Sequence, residues 1–140
     1  FGKGNVVIEA DANEIEKGRT LVIVTYGMGV YWAKEAAKKF PGRVEVIDLR
    51  TLIPLDEELV FERVKIHGKC MVLTEEQINN SFAEAFAHRI SNECFKYLDA
   101  PVEAMGALNL PAVPINLILE KEMLPNAEKV SKKIKEMLSQ

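Results

Sequence analysis

Short apolar runs alternate with amphipathic segments along most of the chain. Runs rich in β-branched residues predict strands that are covered on both faces, because a half-solvated strand would alternate apolar and polar residues. Between these runs, apolar residues recur every three or four positions, which predicts helices. The predicted strands are 21–24, 44–49, 69–74 and 101–105, and the predicted helices cover 30–40, 56–67, 82–94 and 126–138.

The order of these elements, β-α-β-α-β-α-β-loop-α, predicts an α/β fold with three layers. We expect a doubly wound, mainly parallel sheet with right-handed crossovers, formed by residues 19–140 as one domain. Residues 1–18 turn polar and acidic after a short apolar run, so we interpret them as a linker from an upstream domain. Pro111, Pro114 and Pro125 exclude a continuous helix over this stretch, although its apolar content predicts that it packs against another part of the protein.

Composition and charge narrow the classes of function. The net charge of −3 gives no electropositive field for nucleic acid, and no apolar run approaches the ~20 residues that span a bilayer. We therefore expect a cytoplasmic protein with neither nucleic acid nor membrane as a partner. Cys70 and Cys94 fall in a predicted buried strand and on the apolar face of a helix, which favours inert core thiols over a disulfide or a reactive thiol.

Motifs that would indicate catalysis are weak or incomplete. Tyr26-Gly-Met-Gly29 lies at a strand-to-helix turn, but Trp32 occupies the position of the third glycine of a dinucleotide fingerprint, so a plain tight turn is favoured. His67 and His88 have no cysteine or carboxylate at a metal-ligand spacing and are interpreted as structural or solvent-facing. No Gly-x-Ser-x-Gly motif occurs. We predict no catalytic, cofactor-binding or metal-binding residue in this chain.

One polar cluster is placed where open α/β sheets bind ligands. It follows the third predicted strand and leads into the longest predicted helix. We predict that it contacts a partner subunit or a neighbouring domain, and a solvated turn is the alternative. Its members are Glu75, Glu76, Asn79, Asn80, Ser81 and Phe82.

Four segments form an ordered set, namely 21–27, 48–56, 98–102 and 114–125. Over about residues 18–140 the chain resembles the C-terminal, transketolase-like domain of the β subunit of the thiamine-dependent decarboxylating component in 2-oxo acid dehydrogenase complexes. The strings Asp-Leu-Arg-Thr-Leu-x-Pro-Leu-Asp and Leu-Asp-Ala-Pro-Val carry this resemblance, and Gly2-Lys3-Gly4 looks like the family's joint after the pyrimidine-binding domain.

The resemblance implies a domain that binds no thiamine diphosphate itself, while other domains of the full enzyme bind the cofactor and Mg²⁺. It implies contacts with an upstream pyrimidine-binding domain, with an α subunit or a fused α region and with a lipoyl acyltransferase core, in a dimer within a multienzyme complex. Branched-chain 2-oxo acids such as 2-oxoisovalerate are the favoured substrates, which would place the enzyme in branched-chain amino acid catabolism.

Other functions stay open alongside this one. The same domain occurs in pyruvate dehydrogenase, 1-deoxyxylulose-5-phosphate synthase and transketolase, and a non-catalytic oligomerisation module is a further alternative. The chain also departs from the family's pattern at two places. Asn79-Asn80-Ser81-Phe82 stands where a glycine-rich run is common. Glu103-Ala104 follows Ala-Pro-Val, where the family often has an arginine or a lysine.

Overall fold

The computed structural model describes residues 2–52, 55–77, 82–107 and 125–139. Five strands, five helices and one 3₁₀ turn make up the described part. In chain order they are β1 (Asn5–Ile8), α1 (Ala12–Glu16), β2 (Leu21–Thr25), α2 (Met28–Ala37), β3 (Val44–Asp48), α3 (Glu57–His67), β4 (Cys70–Gln77), α4 (Phe82–Cys94), the 3₁₀ turn (Phe95–Tyr97), β5 (Glu103–Ala107) and α5 (Ala127–Leu138). No helix within the described ranges is long and apolar enough to cross a membrane.

The strands form one sheet in the order β1-β3-β2-β4-β5. Strands β2 to β5 are parallel, and β1 pairs antiparallel with β3 at the edge. From β2 the chain moves outward to β3 and then returns to the other side of β2 as β4. The direction of winding therefore reverses between β2 and β4, and in open α/β sheets ligands bind at the carboxyl ends of the strands that flank such a point.

Two apolar cores lie on opposite faces of the sheet, so the three-layer, doubly wound fold predicted from the sequence is confirmed. On one face, α3 and α4 pack against Val22 and Val24. On the other face, α2 and α5 pack against Leu21 and Ile23. All five residues of β2 are buried, which explains why this strand reads as a continuous apolar run.

Capping residues lie at the ends of α3 and at the start of α5. Asp56 precedes α3, and its side chain accepts a hydrogen bond from the Leu59 N–H. Gly68 ends the same helix with φ of +75°, a conformation that favours glycine. Asn126 caps α5 by accepting from the Lys129 N–H at 2.8 Å.

Three features differ from the sequence-based expectation. Residues 1–18 are not wholly a surface linker, because β1 pairs with β3 and α1 follows it. The last strand is Glu103–Ala107, two residues later than predicted. Strand β4 continues to Gln77, past the predicted end at Thr74, and its pairing with β5 is irregular between Leu73 and Gln77. The expectation for the proline-containing stretch from Pro111 lies outside the described residues until Pro125.

Candidate functional site

The carboxyl ends of β2 and β4 are held together by side-chain hydrogen bonds. Thr25 Oγ1 donates to the Leu73 carbonyl oxygen at 2.9 Å. One residue further along each strand, the Tyr26 hydroxyl and Thr74 Oγ1 lie 2.7 Å apart. The point where the winding of the sheet reverses is therefore closed by the chain's own polar groups, and it is not an open crevice at this depth.

The Gly-x-Gly turn after β2 serves packing. A Cβ atom on Gly29 would lie 1.9 Å from Thr25 Oγ1, so only glycine lets α2 approach β2 this closely. Gly27 has φ of +59°, and a Cβ there would lie 3.5 Å from Glu75 Oε1. A carboxylate beside the turn repels a phosphate group. The arrangement agrees with the tight turn predicted from the sequence and disfavours nucleotide binding.

Two members of the predicted contact cluster lie at this edge. Glu75 is exposed near the end of β4. Phe82 begins α4, where its ring stacks on Phe86 with centroids 5.4 Å apart and meets Tyr26 edge-on at 6.0 Å. Phe82 therefore ties the start of α4 to the end of β2.

The rest of the cluster is less fully described. The prediction that Glu75 and Glu76 follow the strand was wrong, because both lie within β4, which continues to Gln77. Asn79, Asn80 and Ser81 lie outside the described residues. A partner contact at this cluster therefore stays a prediction.

A buried polar cluster that the sequence did not indicate lies at the other end of the sheet. Arg63 donates from Nη2 to Glu45 Oε1 at 2.7 Å and from Nε to Glu45 Oε2. His67 Nε2 lies 3.2 Å from Glu45 Oε1, within ion-pair distance but without hydrogen-bond geometry. His67 Nδ1 and Thr20 Oγ1 lie 2.6 Å apart, and the Ala10 N–H points to Glu45 Oε1 at 3.4 Å.

These neighbours favour the charged form of the Glu45 carboxyl group. Burial raises the pKa of its carboxyl group, but the charge interactions with His67 and Arg63 and the two hydrogen bonds from Arg63 outweigh that effect and lower the pKa from 4.5 to about 2. The hydroxyl group of Thr20, the imidazole of His67 and the carboxylate of Glu45 follow one another in the order found in the catalytic triads of hydrolases. However, Thr20 and Glu45 are 0% exposed and His67 only 3%, so no substrate reaches them. The cluster is structural.

The two cysteines and His88 are the remaining candidates for reactive groups in the described part of the chain. Cys70 and Cys94 are buried free thiols, and burial raises the pKa of both. They agree with the predicted inert core thiols. His88 is exposed on α4 near Asn92. Within the described ranges, no group of three His, Cys, Asp or Glu side chains is placed to hold a metal ion.

Comparisons with known proteins agree with this fold. The β subunit of 2-oxoisovalerate dehydrogenase from Bacillus subtilis is 32% identical over 124 residues, which are 86% of this chain and 38% of that protein. Pyruvate dehydrogenase E1 component subunit beta from Rickettsia bellii is 34% identical over 140 residues, which are 98% of this chain and 40% of that protein. The chain thus spans about two fifths of the length of these relatives.

A solved structure gives the same architecture. It is described as a split gene transketolase in an inactive beta4 tetramer, and it superposes with a TM-score of 0.72 at 23% identity, covering 99% of this chain and 42% of that one. The family model for the C-terminal domain of transketolase matches residues 10–130. Sequence family, sheet order and layer arrangement therefore agree, and the chain belongs to the transketolase C-terminal domain family.

Proposed function

We propose that the chain is the C-terminal domain of the β subunit of a thiamine diphosphate-dependent 2-oxo acid dehydrogenase, in which it provides contacts between domains and subunits. The observation that carries this proposal is the similarity to two such β subunits, at 32% and 34% identity over most of the chain. We further propose that the reacting groups of the full enzyme belong to regions outside this chain, because the relatives are much longer than the matched part.

The chemistry of the carboxyl edge supports a contact role. A diphosphate site needs backbone N–H groups or cations aimed at the phosphates, usually with a metal ion. Here Glu75 places a carboxylate beside Gly27, and hydrogen bonds from side chains join the carboxyl ends of β2 and β4. We propose that thiamine diphosphate and Mg²⁺ are held by other domains of the full enzyme, and we assign no step of the reaction to a residue of this chain.

For the substrate we propose a branched-chain 2-oxo acid such as 2-oxoisovalerate, which undergoes oxidative decarboxylation with transfer of the acyl group to a lipoyl group. Similarity to the Bacillus subtilis 2-oxoisovalerate dehydrogenase β subunit supports this choice. Pyruvate is the second candidate, because the Rickettsia bellii protein matches over 98% of the chain.

The partners follow from the same proposal. We propose an upstream pyrimidine-binding domain, an α subunit or fused α region, a lipoyl acyltransferase core and a dimeric full enzyme in the cytoplasm. The exposed Glu75 and the aromatic cluster around Phe82 are the surface features that would meet one of these partners.

Acylation of a lipoyl domain by the full-length protein and its α part tests the activity. We expect kcat/KM for 2-oxoisovalerate to exceed that for pyruvate by about tenfold or more, since pockets that fit larger apolar groups favour them by such factors. The reverse preference would favour the pyruvate enzyme. Ketol transfer between sugar phosphates without lipoyl acylation would exclude a dehydrogenase.

A charge reversal tests the contact role. Glu75→Lys should weaken assembly of the full-length complex, measured as the concentration dependence of its mass in solution. Glu93→Lys is the matched control, because Glu93 is an exposed glutamate of α4 away from the carboxyl edge. Equal effects of the two substitutions, or none, would contradict a contact at Glu75.

A further inference from the structure

A groove of about 740 Å³ opens at the carboxyl edge between α2 and the segment that follows β3. One wall is a stripe of α2, and the other wall is the end of β3 with the turn after it. Its lining residues are Gly27, Val30, Tyr31, Lys34, Glu35, Lys38, Asp48 and Arg50.

Arg50 stands in this groove on a strained backbone. Its φ is +64°, and it is the non-glycine residue with positive φ in the described part of the chain. Two hydrogen bonds hold the turn, from the Arg50 N–H to Asp48 Oδ1 at 2.9 Å and from the Thr51 N–H to the Leu49 carbonyl oxygen at 2.6 Å. This conformation costs a side chain about 1–2 kcal/mol relative to glycine. A glycine would satisfy the turn better, so the turn alone does not explain an arginine.

The guanidinium group of Arg50 has no partner within the described ranges, in contrast to the other arginines. Arg19 lies 3.8 Å from Glu14, and Arg43 donates to the Arg19 carbonyl oxygen. Arg63 and Arg89 form bidentate pairs with carboxylates.

A second unpaired cation lies on the facing helix. Lys38 pairs with Glu35 at 2.8 Å, whereas the amine of Lys34 forms no ion pair with a residue in the described ranges. The groove therefore presents two cations, Arg50 and Lys34, that form no ion pair with a described residue, and the three cations of its lining exceed the two carboxylates, Glu35 and Asp48.

Exposed apolar side chains lie on the same helix as Lys34, and one of them, Tyr31, lines the groove. Met28 and Tyr31 lie three residues apart on α2 and are 49% and 58% exposed. Exposed aromatic and methionine side chains beside arginine are typical of protein–protein contacts. The charge and apolar area together fit a protein segment with a carboxylate better than a free ion.

The path of the chain identifies which segment can reach the groove. Because β1 runs antiparallel to β3, its first residue, Asn5, pairs with Asp48 at the carboxyl edge. The Gly4 N–H also donates to Asp56 Oδ2 at 2.9 Å. Any chain that precedes Gly4 therefore enters at the carboxyl edge, beside the end of β3 and the start of α3. A tethered segment has a local concentration in the millimolar range, which favours weak docking.

From these observations we infer that the groove receives an aspartate or glutamate side chain of the domain that precedes this one, paired with Arg50 and Lys34. The inference rests on the proposed function, since it requires the upstream pyrimidine-binding domain. A carboxylate accepts two parallel hydrogen bonds from a guanidinium group, which is the geometry that Arg50 offers and Lys cannot.

Cross-linking of the full-length protein with a carbodiimide tests the inference. This reagent joins an amine directly to a carboxylate in contact with it, so Lys34 reports its own partner. We expect mass spectrometry to find a peptide with Lys34 linked to an acidic residue upstream of residue 1. Links from Lys34 only to acids of this chain, such as Glu35, Glu120 or Glu122, or to another subunit, would overturn the inference, as would no link.

Two variants of the full-length protein separate docking from backbone strain. Arg50→Ala should lower the yield of the Lys34 link about fivefold or more, because it removes the charged fork that orients the carboxylate. Arg50→Gly relieves the strain at positive φ and should lower the yield equally. A yield preserved in Arg50→Gly would overturn the role of the guanidinium group. Lys132→Ala, which removes an exposed cation of α5, should leave the yield unchanged.

The same sample distinguishes a failure of the docking inference from a failure of the proposed function. If the unmodified protein acylates a lipoyl domain but gives no upstream link, the docking inference fails and the proposed function stands. If the link forms but no 2-oxo acid is decarboxylated, the proposed function fails while the docking of an upstream segment stands.

Discussion

Replacement of Glu45 by glutamine should destabilise the folded chain by about 3 kcal/mol at neutral pH. The pKa of Glu45 is lowered from 4.5 to about 2 by His67 and Arg63, against the opposing effect of burial. Each unit of pKa difference between the folded and unfolded states corresponds to about 1.4 kcal/mol. Because the Glu45 side chain is fully buried, solvent does not screen its interactions appreciably.

The dependence on pH is the specific signature of this mechanism. The pKa in the folded state lies below the unfolded value, so the carboxylate stabilises fully above about pH 5 and loses this effect as the pH falls towards 2. Glutamine has no charge to lose. The difference in unfolding free energy between the natural chain and Glu45→Gln should therefore shrink as the pH falls from about 5 towards 2.

Urea unfolding, monitored by circular dichroism, measures the loss of unfolding free energy in Glu45→Gln and its dependence on pH. Urea is preferable to guanidinium chloride, because a salt would screen the ion pairs under test. Glu93→Gln serves as the control, since an exposed carboxylate should change stability by less than about 0.5 kcal/mol. A loss below about 1 kcal/mol for Glu45→Gln, or one that stays the same down to pH 3, would refute the electrostatic reasoning.

Further predictions concern the packing of α2 and the thiols. Gly29→Ala should cost about 2 kcal/mol in chemical unfolding, because its Cβ would lie 1.9 Å from Thr25 Oγ1. Gly18→Ala, at φ of +70° but with nothing within 4 Å, should cost only about 1 kcal/mol, and equal losses would contradict the clash. Cys70 and Cys94 should resist an aromatic disulfide reagent at pH 8 until the chain unfolds, because burial raises both pKa values. Rapid labelling of the folded chain would contradict this.

Much of the fold was predictable because its signals are local. The continuous β-branched run of β2 predicts a strand buried on both faces, and Asp56, Gly68 and Asn126 mark helix ends through hydrogen bonds to near neighbours. Each of these signals depends on residues within a few positions of one another. The alternation of strand and helix then limits the topology to few choices.

The features that the sequence did not reveal depend on contacts far apart along the chain. Glu45 meets Arg63 18 residues later, and Thr20 meets His67 47 residues later. A glutamate inside an apolar strand was the available signal, but its partners cannot be chosen without the fold. Similarly, β4 continues beyond Thr74 because β5 lies beside it, which outweighs the low strand propensity of its glutamates.

The candidate site was predictable only in part for the same reason. The polar residues at the end of β4 were recognisable because they follow an apolar run. The groove around Arg50 brings together segments from two different crossover units. Neither an arginine nor its sequence neighbours indicate that the backbone at this position has a positive φ.

The pairing of β1 with β3 has a practical consequence for any shortened form of this protein. The family match begins at residue 10, so a fragment trimmed to that boundary would lack Asn5–Ile8. The backbone groups of Val46–Asp48 that now face β1 would then be open to strands of other molecules. Such a fragment should form soluble oligomers or fibrils through edge-to-edge pairing, even though every buried core residue is still present.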